Sequence, residues 1–584
     1  MEKPTSQSSL ELGRPSMTAT LPVLATPQAP AAEFTHDASE KPLPSSNNSV
    51  SGRTEQQKED ENGAGTGPDE GEVEEEFITG VRLVLVLAAL TFVIFMMLLD
   101  MSIITTAVPE ITTAFNSLAD VGWYAAAYNL CGAALQPFAG KLYTHLRSKW
   151  TFLGFFFLFE LGSLICGLAT SSNMLIVGRA VAGMGSSGLF NGSLTIVGVT
   201  VPLQRRPVII GIMIGFANMG LVAGPLVGGA LTEFTTWRWC FYINLPIGAV
   251  AAVLLLVINI PEKVPKPLPL LQVPRHLDLP GFVLFAPAAI MFLLALEFGG
   301  NSHPWNSSVV IGLLVGAAVT AVLFMLWERR QGDDMAMIPM GLFGNRIFWT
   351  SCLVGGLNMS ITLVSSYYVP MYFQSVKGET PFRGGVDFLP TILSQLVVAV
   401  FSGAMVGRLG YYLPWAVFGS IATTIGSGLI STWTPSTSTA QWIGYQILLG
   451  AGRGASMQMH LIAVQAVLPA ALLSISMATL IFMQTFSGAV IITAAQTIFS
   501  EGLGNNLEKY APSVDAQTVL AAGGTGFRTV VSEEELPGVL IAYAKSLSEV
   551  FYLCIAIGGL VFVFSWGMGW VDIRKKKTEK KGEV

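Results

Sequence analysis

Long apolar runs constrain this chain more than any other feature of its sequence. A run of about 18 or more apolar residues can cross a bilayer as a helix, because each residue advances about 1.5 Å through a hydrocarbon core about 30 Å thick. The chain offers fourteen such runs, near residues 82–108, 120–142, 151–171, 174–198, 208–231, 241–260, 280–299, 308–327, 347–371, 385–407, 414–433, 442–467, 473–499 and 549–571. Pro287 interrupts the seventh, and the twelfth and thirteenth are joined almost without a loop. Hydrophobic residues make up 52% of the 584 and charged residues only 12%, against about 25% charged in soluble domains. These figures describe an all-α integral membrane protein that crosses the bilayer many times.

Both ends of the chain differ from its middle. Residues 1–80 are rich in Ser, Pro, Thr, Gly and Glu, and they end in Glu72, Glu74, Glu75 and Glu76. With no apolar run they cannot bury a core and read as a disordered, acidic cytosolic tail. They also cannot act as a cleavable signal peptide, so the first span must serve as its own insertion signal.

Lysine and arginine in short loops orient the spans. With the N-terminus inside, the inner ends hold Lys141, Arg147, Lys149, Arg205, Arg206, Lys263, Lys266, Arg275, Arg329, Arg330, Arg346 and Arg408. Outer loops hold mainly Arg238, Lys377 and Arg383, plus Lys509, Arg528 and Lys545 in a long loop at 501–547. An even number of spans returns the basic tail 572–584 to the cytosol, where it reads as a stop-transfer anchor, with binding of anionic lipid or of a reader of basic patches as the alternative. The five cysteines have no paired spacing and read as small apolar residues. Among four sequons, Asn306 is the one in an outer loop and is the glycosylation candidate.

A shift of 267 residues carries Gly140-Lys141-Leu142 onto Gly407-Arg408-Leu409, and Gly183 and Gly185 onto Gly450 and Gly452. The chain therefore reads as two related six-helix bundles, 81–260 and 347–571, with two inserted helices and their linkers at 261–346. Repeats of this kind place a binding cavity at their interface and transport by rocking one half against the other.

In the fifth span Gly211, Gly220, Gly224, Pro225, Gly228 and Gly229 punctuate an apolar helix. Residues 220, 224 and 228 share one face, where a partner backbone can approach closely. Pro225 lacks an N–H and bends the helix at that point.

Ionisable groups inside a membrane are costly, and each is a functional candidate. Asp100 lies about 27 Å along the first helix from Arg82, at the same depth as Arg179 in the fourth span. The two either couple a proton to transport or fasten two helices permanently. Glu160, near the middle of the third span, is either a second protonation site or a structural hydrogen bond to the fourth helix. Arg453, between two glycines in the twelfth span, requires an anionic, carbonyl or water partner. Tyr128, Asn129, Gln136, Asn358, Gln446, Gln458 and Gln484 complete a candidate cavity for a mid-sized amphipathic molecule. The sequence carries no phosphate-cradling loop, metal-spaced histidine cluster or nucleophile motif. It predicts no catalytic residue, no cofactor, no metal and no nucleic-acid partner.

At these residues the chain resembles the major facilitator superfamily, and within it the fungal 14-span drug:proton antiporters. The run from Gly211 to Gly229 matches that group's antiporter motif. Leu99-Asp100 through Ala107-Val108-Pro109 resembles its first-span motif, and Leu175, Arg179, Gly183 and Gly185 its fourth-span motif. The stretch Trp237-Arg238-Trp239 through Asn244-Leu245-Pro246 to Gly248 is common in the same group. The loop motif Gly140, Lys141, Arg147 and Lys149 resembles the cytosolic gate, but Thr144 stands where the wider superfamily commonly has Asp. The resemblance implies a monomer in the plasma membrane, or in a vacuolar or vesicular membrane, exporting a toxin, drug or secondary metabolite against inward proton flow. Siderophore uptake, or a sensor that does not transport, are the alternatives to be separated from that reading.

Overall fold

The computed structural model describes residues 79–574, apart from 116, 118–119, 259, 261–275, 300–302, 334, 516–517, 520–525 and 529. The acidic tail to residue 78, Lys263, Lys266, Arg275 and the lysines after Arg574 lie outside the described residues.

Each expected apolar run carries helix, and the described residues contain no strand. The N-terminal series is α1 (Gly80–Phe115), α2 (Val121–His145), α3 (Ser148–Gly167), α4 (Ser172–Thr200), α5 (Arg206–Phe234) and α6 (Asn244–Val257). A hairpin follows, α7 (Leu279–Phe298) and α8 (Ser308–Gln331). The C-terminal series is α9 (Arg346–Ser375), α10 (Leu389–Leu409), α11 (Leu413–Ile430), α12 (Thr439–Ser456, continued as Met459–Val467), α13 (Leu473–Tyr510) and α14 (Leu536–Ser565).

Local chemistry places many of the boundaries. The side chains of Ser171, Asp278, Ser307 and Asn345 accept backbone N–H groups at the starts of α4, α7, α8 and α9. Proline occupies the first turn of α5, α10, α11 and α14, where its missing N–H costs nothing. Pro137, Pro225, Pro287 and Pro370 instead lie inside continuous helices, so Pro287 does not break the seventh span.

Eleven helices among the described residues are long and apolar enough to cross a membrane. They fall on all the expected spans except the second, fourth and twelfth. Of these, α2 and α4 run 25 and 29 residues with a larger share of small and polar side chains. The third, α12, is divided at Met457 and Gln458. The expected long outer loop at 501–547 is shorter than its sequence suggests. Helix α13 extends to Tyr510 and α14 begins at Leu536, so the connection between them is 511–535.

The first six helices pack among themselves, and so do the last six. Two seams join the groups, α2 against α13 and α5 against α10. Under the 267-residue repeat α2 corresponds to α10 and α5 to α13, so each seam maps onto the other.

The repeated glycines make equivalent contacts. A Cβ on Gly140 would lie 3.1 Å from the Ser474 carbonyl across one seam, and one on Gly407 would lie 2.6 Å from the Gln204 carbonyl across the other. Likewise Gly183 abuts the Tyr128 backbone of α2, whereas Gly450 abuts the Thr391 carbonyl of α10. Glycine is required at these places because backbone meets backbone with no room for a side chain.

Candidate functional site

Five helices of the N-terminal group converge on the carboxylate of Asp100, which is fully buried. Arg179 on α4 donates from Nη1 to Asp100 Oδ2 at 2.6 Å, and from Nε to the Tyr124 carbonyl of α2 at 3.0 Å. Its guanidinium lies 4.5 Å from the centre of the Tyr128 ring. The other carboxylate oxygen accepts from Asn244 Nδ2 of α6 at 3.1 Å, and the same amide reaches Ser163 Oγ of α3 at 3.1 Å. A buried ion pair persists only when each charge is so compensated, since desolvating a single charge costs several kcal/mol, roughly.

Glu160 lies one helical turn from Ser163 on α3, and its carboxyl covers Gly248, one turn beyond Asn244 on α6. Neither of its buried oxygens has a hydrogen-bond partner. The expected bond from Glu160 to the fourth helix is therefore absent. The carboxyl occupies the seam with α6, about 5 Å along the helix axis from the Asp100 network.

The glycines of α5 fix where Asp100 sits. A Cβ on Gly220 would lie 2.6 Å from the Phe95 carbonyl, on Gly224 2.8 Å from the Ile103 amide, and on Gly228 2.6 Å from the Ile103 carbonyl. These atoms bracket Asp100 on α1, and Ser102 Oγ donates to the Gly220 carbonyl at 3.2 Å. Gly211 faces elsewhere, toward the Ala399 carbonyl of α10 and the Gln458 side chain. Pro225 is exposed, and a side chain at Gly229 would meet open space. The motif thus has two functions, with three glycines seating α1 and one seating the opposite half.

At the basic end Lys149 Nζ donates to the Leu256 and Ile258 carbonyls, both at 2.8 Å, fastening α3 to the end of α6. Arg147 is exposed, whereas Lys141 is buried.

The residues expected to line one cavity occupy several places. Tyr128 belongs to the Arg179 environment. Asn129 is exposed, and Gln136 has an unpartnered Oε1. Gln446 joins α12 to α10 and to the segment just before it. It is fully buried, accepts from Thr391 Oγ1 at 2.9 Å and donates to the Asp387 carbonyl at 2.9 Å. Under the repeat it occupies the place of Arg179, so the C-terminal half carries an uncharged amide where the N-terminal half carries the cation.

Asn358 accepts from Ser456 Oγ at 3.3 Å and leaves its Nδ2 free. Arg453 donates to Ser365 Oγ at 3.1 Å with Nε unpartnered. Gln458 donates to the Ala399 carbonyl at 2.8 Å, and Gln484 contacts His460 Nε2 at 2.7 Å. Asn306 is exposed just before α8, and all five cysteines are unpaired thiols. Sequence reasoning missed Asn244, Ser163 and His460 as site residues. Asn244 was legible within the Trp237 to Gly248 stretch, but its partner was not.

The sequence pattern of the Major Facilitator Superfamily matches residues 90–492. The chain belongs to that superfamily. It is 55% identical to the MFS-type transporter pigP of Monascus ruber, over 88% of this chain and 90% of that one. It is 51% identical to the efflux pump mlcE of Penicillium citrinum, over 87% and 94% of the two chains. The fold resembles a double-tryptophan mutant of XylE, with a TM-score of 0.53 at 13% identity over 84% of this chain and 96% of the other. As a major facilitator protein the chain is a multi-pass membrane transporter and not an enzyme.

Proposed function

We propose that this transporter exports a small organic compound, of the toxin, drug or secondary-metabolite class, in exchange for protons entering the cell. The observation that carries the reading is the Asp100–Arg179 pair, buried among α1, α2, α3, α4 and α6 beside the unpartnered carboxyl of Glu160. A buried acid held by one cation can exchange that cation for a proton, and a second acid, one turn along α3 from Ser163, offers the next stop. The antiporter-motif glycines support the same reading, because they set α5 against α1 on either side of Asp100 and leave no gap for leak. Fungal relatives named as efflux pumps support the outward direction.

In this reading all fourteen apolar runs cross the bilayer, the basic end faces the cytosol, and the monomer sits in the plasma membrane. Asn358, Arg453, Gln458 and Gln484 then contribute to the cargo path between the halves, and Asn306 lies outside.

Proteoliposomes with an imposed pH gradient test the proposal. Wild type is expected to move cargo, while Asp100→Asn and Arg179→Ala are expected not to. Gradient-driven flux at wild-type rates in both variants overturns the coupling. A deletion strain challenged with toxin and drug panels tests direction, and unchanged sensitivity and secretion with lost siderophore uptake overturns export.

A further inference from the structure

The gate motif departs from its superfamily at Thr144, and the structure shows what the neighbouring residues do in its absence of charge. Thr144 Oγ1 donates to the Gly140 carbonyl of its own helix at 3.0 Å and reaches no other element through that bond. Lys141 instead leaves α2 altogether. Its Nζ is buried and donates to the Ala336 carbonyl at 2.7 Å. Ala336 lies just after the inserted hairpin, in the connection from α8 to α9.

Two buried acids grip that connection. Asp278, in the left-handed region at φ 46°, accepts from Gly281 N at 3.1 Å, Trp327 Nε1 at 2.7 Å and Met337 N at 3.2 Å. Glu328 accepts from Met337 N at 3.2 Å and from Ile338 N at 3.1 Å. Carboxyl groups from the start of α7 and the end of α8 thus hold two successive amides. The carbonyl immediately before those amides receives the Lys141 ammonium. The bond from the Lys141 ammonium is charge-assisted and about twice as strong as a neutral one.

The hairpin also touches both sides of the α2–α13 seam. On α2, Phe138 meets Phe282 with ring centres 4.7 Å apart, and His145 meets His276 at 5.7 Å. On α13, Phe482 meets Phe285 at 4.9 Å and Phe486 meets Phe292 at 4.7 Å. In any rocking motion that opens this seam, a hairpin seated on both helices must release one of them.

We propose that α7 and α8 form a latch on the cytosolic gate. The Asp278–Glu328 clamp presents the Ala336 carbonyl to Lys141 and holds α2 against α13 while the basic end is closed. The inserted helices supply the restraint that Thr144 cannot, and Lys141 is the positioning residue they act through. The latch rests on alternating access between the two halves, but not on the identity of the cargo or on protons.

Electron–electron distance measurements on the full chain in nanodiscs test it. The five native cysteines are replaced by alanine, and spin labels are attached at Gln204→Cys and Ala471→Cys. Both positions are exposed on basic-end connections of opposite halves. Lys141→Met is expected to raise the ratio of open to closed distances at least about tenfold, the lower end of what a hydrogen bond from a charged donor contributes. Glu328→Gln shifts the ratio the same way, while Lys141→Arg keeps a donor and stays near wild type. A Lys141→Met distribution matching wild type overturns the latch, as does a Lys141→Arg shift as large as that of Met. Should Glu328→Gln fail to fold, Lys141→Met leaves the clamp intact and decides the question. No cargo or pH gradient is needed, so failure here is distinct from failure of the transport assay.

Discussion

Replacing Arg179 by Met keeps an unbranched apolar stem while removing the charge from a site where both partners are essentially unexposed. Asp100 then loses the 2.6 Å bond and keeps only the 3.1 Å bond from Asn244. Truncating one member of a buried pair costs about 3–5 kcal/mol, because the other charge is left uncompensated. Asp100→Asn alone leaves Arg179 with the Tyr124 carbonyl and the Tyr128 ring face, and its cost is expected toward the lower end of that range. The double variant Asp100→Asn/Arg179→Met removes both charges and is expected within about 2 kcal/mol of wild type. With single costs that sum to about 6–8 kcal/mol and a double cost of about 2 or less, the cycle should give a coupling energy of at least about 4 kcal/mol. Unfolding of the purified protein by denaturant in mixed micelles measures the three differences, and gradient-driven flux in proteoliposomes is measured on the same preparations. All three variants should lose coupled flux, including the double variant that regains stability. Strictly additive costs, or single variants within about 0.5 kcal/mol of wild type, would refute the reasoning from burial and pairing.

Further expectations concern separate parts of the fold. Gly224→Ala forces α1 and α5 apart, because the new methyl meets Ser102 and the Ile103 amide; it should cost about 1–3 kcal/mol and raise proton leak, read with a pH-sensitive dye in liposomes. Glu160→Gln removes an acid whose oxygens have no partner, so stability should stay within about 1 kcal/mol while coupled flux falls; unchanged flux would remove Glu160 from the proton path. Gly140→Ala places a methyl against Ala478 and 3.1 Å from the Ser474 carbonyl, and should favour the open basic end in the distance measurement. Gly407→Ala, its counterpart under the repeat, should act in the same direction through the Gln204 carbonyl, and opposite shifts would argue against equivalent seams.

Much of the site was legible from residue type and spacing. The matching depths of Asp100 and Arg179 predicted that they could meet, and the shift of 267 residues predicted equivalent glycines. The same shift places Gln446 where the first half has Arg179. Lys141 illustrates what spacing cannot reveal. Its sequence neighbourhood marks an inner, basic loop, yet its ammonium is buried against a carbonyl 195 residues away.

The sequence by itself determined that the chain is helical, lies in a membrane, is internally repeated and carries a few costly charges at depth. Those properties follow from local chemistry, since apolar length, glycine spacing and ionisable type act along a single helix. Tertiary structure decided which helices the charges join, that Glu160 has no partner, and that the motif glycines divide between α1 and the opposite half. It also decided that Lys141 bonds the connection that follows the inserted hairpin. Each depends on which faces of distant helices meet, and helical periodicity places a residue on a face without naming the face opposite.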